Sequence, residues 1–423
     1  METYATALSY AIPGFIVLIL IEYGISRWKG VSVNEGLDTI SSISSGITNT
    51  LKTLVGLSVV ILSYEWMVDH LALLEIKSTP MVYLLTFIGL DFAGYWSHRF
   101  NHTVNLFWNR HIIHHSSEEF NLACALRQNI SAIVAIYFFL YIPLALLGIP
   151  AEVVALVAPI HFFAQFWYHT RLIDKMGFLE YVIVTPSHHR VHHAINDIYL
   201  DKNYAEIFIV WDKLFGSFQK ELDEVPAVYG VKKPVNTWNP FLINFMHLWG
   251  ILKDAWRTKS LKDKLKIWFM PTGWRPDDVA VLYPIQLIED PYARVKYTGN
   301  RSYLLKIWSW FQLVITILLM YHLLISIADL GFIDVVNYTL FLAISIFAYT
   351  SLMDGHIFSL YAEFIKLSFG LYVVIDAGWF GLEEFFGFAN TVMIIYLLSS
   401  FIITVYFQWV APRMLLNAKK VGA

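Results

Sequence analysis

Eleven of the chain's 15 histidines lie between His98 and His193, and nine of these come in spaced clusters. HRFNH supplies His98 and His102, HIIHH supplies His111, His114 and His115, and HHRVHH supplies His188, His189, His192 and His193. Imidazole is the commonest protein metal ligand, and spacings of three or four residues bring two rings to one helical face, where both reach one ion. A closed zinc site uses four ligands and a catalytic one three, so eight or more clustered imidazoles predict two ions. His169 ends an apolar stretch and shares a helical face with Gln165 and His161. We read His169 as a further candidate ligand, and His161 and Gln165 as supporting residues. His188 precedes the last triplet by one position and is a ligand candidate or a hydrogen-bond donor behind one.

Asp91 lies on the stripe that carries His98 and His102. A carboxylate in an apolar helix is costly unless partnered, so Asp91 is expected either to bond a ligating imidazole or to make a polar contact between helices. His70, His247, His322 and His356 stand apart from the clusters and are expected to be packing residues. No HExxH, GxSxG, P-loop or CxxC occurs, so protease, esterase and nucleotide-hydrolase chemistry of those kinds has no support. The single cysteine, Cys124, excludes an intrachain disulfide and a thiolate-rich metal site. Imidazole alone fits zinc, iron, copper or nickel.

The elements that must position these rings are apolar. The chain of 423 residues is 57% hydrophobic and 15% charged, the balance of a membrane protein. A net charge of −3 without basic tracts excludes a nucleic-acid partner. Apolar stretches near 7–26, 51–69, 80–98, 130–148, 152–170, 303–325, 333–352, 357–376 and 388–411 predict an all-α polytopic fold with about nine transmembrane helices. Glu363 and Lys366 interrupt the eighth stretch, and their i, i+3 spacing lets them neutralise one another. No lysine or arginine precedes the first stretch, the first being Arg27 just after it, so the run is expected to persist as a helix, not to be cleaved as a signal peptide.

Nine crossings carry every cluster to one face. That face also receives Arg27, Lys29, Arg110, Arg127, Arg413, Lys419 and Lys420, so it reads as cytoplasmic, in a bacterial inner membrane or the endoplasmic reticulum. Two parts follow. Residues 1–302 form a membrane domain with a cytosolic cap at 171–302, and residues 303–423 form a bundle of about four helices. Within the cap, the stretch from Lys253 to Trp274 mixes Lys253, Arg257, Lys262, Lys264 and Lys266 with Trp256, Trp268 and Trp274, as in a helix lying on anionic headgroups or a solvated basic helix.

A metal site at the bilayer surface under a cap favours a lipid substrate, whose chain offers mainly unactivated C–H bonds. Iron with dioxygen can attack those, whereas acid and base residues cannot. The pattern HxxxH, HxxHH, HxxHH resembles the membrane fatty acid hydroxylase and sterol desaturase superfamily. More narrowly, YWSHRFNH, NRHIIHHSSEEFNLACALRQN, QFWYHT, TPSHHRVHHA and LDKNYAEIFIVWDKLFGSF resemble the alkylglycerol monooxygenase family. These motifs run from about Asp91 to Phe218, and VYGV with the Pro234 to Pro240 stretch extends the likeness.

The resemblance implies a non-haem di-iron oxygenase in which the eight histidines from His98 to His115 and His189 to His193 hold two irons, with His169 and His188 as further candidates. It implies dioxygen as cosubstrate and tetrahydrobiopterin as electron donor. It also implies oxidation of the carbon beside the ether oxygen of an alkylglycerol, giving a hemiacetal that collapses to a fatty aldehyde and a glycerol derivative. The family's glutamate after the second histidine is Thr103 here, a departure that bears on pterin use. Glu118 and Glu119 are read as nearby carboxylates or solvated loop charges, and the QFWYHT aromatics and Trp211 as slot walls or core. A sister hydroxylation or desaturation of sterols, fatty acids or carotenoids shares the histidines and differs in slot and donor. A metal carrier without chemistry would instead place ligands at the bilayer midplane on interrupted helices.

Overall fold

The computed structural model describes residues 2–299 and 302–411. It is mostly helical, and its two strands, β1 (Val59–Val60) and β2 (Val134–Ala135), pair in parallel. Among the described residues, five helices are both long and apolar enough to cross a membrane, against the expected count of about nine. They are α1 (Glu2–Trp28) and four in the C-terminal part: α8 (Tyr303–Ser326), α9 (Phe332–Met353), α10 (Phe358–Ala377) and α11 (Ala389–Val405). These five lie within a few residues of the expected stretches. Arg413, Lys419 and Lys420 fall outside the described residues.

The other four stretches fold differently, each for a local reason. Residues 51–69 are split: α2 (Gly36–Leu54) ends at Val55, Gly56 takes a left-handed φ of 66°, and Ser63 caps α3 (Tyr64–Leu71). Hydropathy misplaced α2 because its buried face is built from hydroxyls, including Ser41, Ser42, Ser44, Ser45 and Thr48. Residues 130–148 break at Pro143 into a tight turn over Ile136–Tyr141 and a short helix over Ile142–Leu146. Residues 152–170 give only the 13-residue helix α5 (Ala151–Phe163). The helix α4 (Pro80–Thr103) has the length but not the apolarity, since it carries Asp91, His98, Arg99 and His102.

α4 starts sharply: Thr79 accepts from the Val82 N–H, and Pro80 occupies the first turn, where its missing N–H costs nothing. It packs against α5 through Val82, Leu90, Val153 and Val157. The polar segment from 171 to 299 packs against the C-terminal end of α4 with two helices of note, α6 (Pro186–His192) and α7 (Pro240–Arg257). Pro186 and Pro240 sit at their first positions behind Thr185 and Asn239. The largest core joins α2 to the C-terminal bundle, through Leu37, Ile40, Leu51, Leu313, Met320, Phe341, Tyr349 and Trp379.

Candidate metal centre

Four pieces of chain bring the histidines together. α4 presents His98 and His102 from its last turns, the short helix Ile112–His115 and its preceding residue present His111, His114 and His115, and the turn after α5 presents His169. α6 and its C-cap present His189, His192 and His193. Nine rings form two groups whose donor atoms lie within 4.8 Å of one another: His98, His102, His111, His115 and His192 in one, and His114, His169, His189 and His193 in the other. His193 stacks on His115 with centroids 4.3 Å apart, so the groups are adjacent.

Within each group the Nε2 atoms face inward at close range. His98 and His111 are 2.9 Å apart, His102 and His115 3.2 Å, His169 and His189 2.9 Å, and His114 and His193 3.1 Å. Several outer nitrogens are committed elsewhere. His98 Nδ1 donates to the Tyr204 carbonyl at 2.7 Å, His192 Nδ1 to the Lys202 carbonyl at 2.9 Å, and His169 Nδ1 to the Gln165 carbonyl at 3.0 Å. His102 Nδ1 lies 3.5 Å from Asp201 Oδ1. A ring that donates through Nδ1 has a bare lone pair at Nε2, and two lone pairs about 3 Å apart repel unless a cation lies between them. Metal–nitrogen bonds of about 2.1 Å meeting near a right angle give a nitrogen–nitrogen edge of about 3 Å, the spacing seen here. His192 Nε2 and His189 Nδ1 are buried without any partner. The donor set therefore fits two imidazole-bound divalent ions.

Electrostatics point the same way. Burial first, and the neighbouring rings second, hold His111, His114, His115, His189, His192 and His193 well below the usual imidazole pKa, and burial lowers His169 to about 4. Neutral imidazole is the form that binds metal.

His188 is not brought into either group. Its Nδ1 accepts from the Thr185 N–H, closing the capping box of α6, and its ring lies edge-on to Phe218. Asp91 bonds no clustered histidine. It accepts from His161 Nε2, the Ile207 and Phe208 N–H groups and Trp211 Nε1, so it ties α4 to α5 and to the 207–211 turn. Trp211 is thus an anchor and not a slot wall. Gln165 supports His169 through its carbonyl. Glu118 and Glu119 are not solvated loop charges: Glu118 accepts from the Tyr297 N–H, and Glu119 pairs with Arg171 and Lys296. Thr103 bonds back to the Arg99 carbonyl and closes the last turn of α4.

Several supports escaped the sequence reading. The Leu200–Asn203 turn holds Asp201 and Asn203 at φ of 56° and 54°, a region that Asp and Asn tolerate better than most residues. That turn aims the Lys202 carbonyl at His192 and the Asp201 carboxylate at His102. Asp212 accepts from the Tyr204 and Ala205 N–H groups and from Ser217, fixing the extended segment that offers its carbonyl to His98. Arg127, buried, donates to Asp38, Ser42 and Ser116, so α2 braces the segment that carries His114 and His115. The Asp-Lys-Asn-Tyr run and its Asp212 were visible in sequence, but only as resemblance.

Two cavities meet the centre from different sides. One, of about 570 Å³, touches His98, His111, His114, His169 and His189 and runs between apolar residues of α1, α2 and α8, among them Leu8, Ile12, Ile47 and Met320. Phe166 and Tyr168 of QFWYHT line it, whereas Trp167 does not. The other, of about 730 Å³, touches His102, His115 and His192 and is walled by Trp108 and, from the polar segment, by Lys233, Trp274 and Tyr283.

Comparison with known proteins agrees with this geometry. The fatty acid hydroxylase family matches residues 83–217, the stretch that contains all nine grouped rings. The chain is 38% identical to the alkylglycerol monooxygenase of Homo sapiens over 71% of its own length and 67% of that protein's. It is 39% identical to that of Xenopus tropicalis over 62% and 58%, and 31% identical to that of Caenorhabditis elegans over 78% and 68%. The alignments thus span roughly three fifths to two thirds of these relatives. No solved structure matches the chain at a significant level. Paired imidazole groups opening on an apolar cavity, together with this identity across most of the described fold, place the chain in the alkylglycerol monooxygenase family.

Proposed function

We propose that this protein is a di-iron lipid monooxygenase that oxidises the carbon beside the ether oxygen of an alkylglycerol, yielding a fatty aldehyde and a glycerol derivative. The observation that carries the reading is an apolar cavity, walled by membrane helices, whose inner end is five of the grouped imidazoles. His98, His102, His111, His115 and His192 would hold one iron, and His114, His169, His189 and His193 the other. Two reduced irons with dioxygen supply the oxidising power that an unactivated C–H bond requires.

The chain's own residues bind and position. α1, α2 and α8 offer the acyl or alkyl chain an apolar slot, and Phe166 and Tyr168 narrow it beside the rings. Burial of such a chain is worth roughly 0.8 kcal/mol per methylene, enough to fix its register. The committed Nδ1 atoms hold the ring planes, so the reacting carbon meets a rigid centre. A reduced pterin is the electron donor in this reading, and the second cavity, with Trp108 and Trp274 beside His102, His115 and His192, is its route. α1 and the four C-terminal helices span the membrane, residues 171–302 cap the site, and the charge bias of Arg27, Lys29 and Arg110 puts it on the cytoplasmic side.

The decisive assay offers iron-loaded protein an alkylglycerol, a sterol and a fatty acid, each with and without reduced pterin. Aldehyde release from the alkylglycerol alone, and only with pterin, is expected. Alcohol or alkene formation from the sterol or fatty acid instead would move the chain to a sister oxidation. Oxygen uptake that ignores lipid would return it to a metal-binding role without this chemistry.

A further inference from the structure

The apolar cavity of about 570 Å³ has one carboxylate in its described wall, Glu206, with a side chain 22% exposed. Its position is built from three sides. Gln165 Nε2 donates to Glu206 Oε2 at 3.1 Å, and His161 Nδ1 lies 3.7 Å from the same oxygen. On α4 the residue beneath it is Gly94, where a Cβ would come within 2.1 Å of Oε2, so the helix makes room for the carboxylate. Gly94 precedes His98 by one helical turn, about 5.4 Å along the axis. Two residues before Glu206, the Tyr204 carbonyl receives the His98 Nδ1–H.

His161 is oriented by its other nitrogen, which donates to Asp91 at 2.9 Å. Asp91, His161 and Glu206 put their donor atoms within 4.8 Å of each other, yet Asp91 already accepts from two backbone N–H groups, the Trp211 indole and His161. It has no lone pair to give an ion. With Nε2–H committed to Asp91, His161 turns Nδ1 toward Glu206, and against burial the Asp91 hydrogen bond and the Glu206 charge hold its pKa above the usual imidazole value, so the pair can share one proton.

We propose that Glu206, backed by His161 and Asp91, is the acid–base group that splits the oxygenated lipid. This rests on the ether-lipid reading above. The Glu206 carboxylate takes the proton of the new hydroxyl as the C=O bond forms, and the departing ether oxygen takes that proton as its bond to the same carbon breaks. One O–H and one C–O bond are lost, one O–H and one C–O π bond are made, and no electrons enter or leave. The groups that face Glu206 are Asp91 from α4, His161 and Gln165 from α5 and the turn after it, Tyr168, and Tyr141 from the Ile136–Tyr141 turn. Withdrawal from water, opposed by His161 and reinforced by Asp91, raises the Glu206 carboxyl to about 7, where one group can both take and give a proton.

The test is a single turnover of the iron-loaded full chain, reduced beforehand, following oxygen uptake and aldehyde release together from a 1-O-alkylglycerol. In the wild type the two keep pace. In Glu206→Gln, oxygen uptake and iron content should hold within about twofold while aldehyde release lags by at least about tenfold, and Glu206→Asp should restore part of it. An analogue with CH2 in place of the ether oxygen gives a stable alcohol and needs no splitting, so its yield should be equal in wild type and Glu206→Gln. Aldehyde keeping pace with oxygen in Glu206→Gln, loss of iron from that variant, or an equal fall in the alcohol from the analogue each overturns the proposal. Wild-type enzyme that oxidises the analogue but releases no aldehyde from the ether sinks the ether reading itself, and the proposal with it.

Discussion

Two buried polar assemblies sit at opposite parts of this chain and are built on opposite terms. In the C-terminal bundle, Lys366 pairs with Glu363 at 2.8 Å, both fully buried. Ser400 bonds both, Gln312 donates to Ser400, and Tyr396 donates to Gln312. Donors and acceptors close on one another, so the network binds helices α8, α10 and α11 and asks for nothing further. The histidine centre is open. Its inward nitrogens crowd one another at 2.9 to 3.2 Å, and His192 Nε2 and His189 Nδ1 have no partner. A protein keeps such an arrangement only when a third party completes it.

The largest expected effect falls on the open assembly. His114→Ala or His192→Ala should cut turnover by more than about 100-fold and lower iron content, read by metal analysis and lipid oxidation, since each removes an inward nitrogen. His322→Ala should leave both unchanged, because His322 bonds Tyr338 within the bundle. Full activity in either of the first two variants would break the ligand assignment.

The closed assembly should answer in stability instead. Lys366→Met leaves Glu363 a buried, unpaired charge and is expected to cost about 3–5 kcal/mol of unfolding free energy, with iron content intact. Replacing Glu363 and Lys366 together by apolar residues should recover most of that loss. A lone Lys366→Met with unchanged melting would refute a structural role for the pair.

Next comes pH. His111, His114, His115, His169, His189, His192 and His193 have folded pKa values below the unfolded value near 6.5, so the unfolded chain binds more protons in acid. Metal-free protein should therefore hold full stability above about pH 6.5 and lose it as pH falls from there toward the folded values, such as about 4 for His169. Iron should be released over the same window, and bound iron should shift the melting loss to lower pH. Stability that rises on acidification would contradict the neutral state of the rings.

Asp212→Asn should weaken iron retention by about tenfold, by loosening the Tyr204 and Ala205 N–H groups and so the carbonyl behind His98. The smallest effect is expected at His188. His188→Ala loses a capping contact worth about 1 kcal/mol together with the ring's packing on Phe218, and should leave iron content unchanged in the metal analysis.

Much of the centre was legible before any fold was known. Spacings of three and four placed the rings of each cluster on one face, and nine of the ten candidate histidines do converge. His188 has the same residue type and spacing, and only the capping box of α6 separates it from the others. Asp91 was visible as a costly carboxylate, but its partner, His161, lies on another helix, and no local pattern names a partner across 70 residues. Span counting succeeded where apolar runs were long and unbroken, in α1 and α8 to α11. It failed at α2, whose buried face is hydroxyl, and at 130–148, where Pro143 breaks the run.

Sequence by itself determined the donor chemistry, since residue type and spacing along a helix are local properties that the chain carries wherever it folds. Tertiary structure decided which rings come together, because His98 and His192 meet only when α4 and α6 pack. It also decided which nitrogen of each ring is free, because that depends on the carbonyls of Tyr204, Lys202 and Gln165 that close contact brings to the other side.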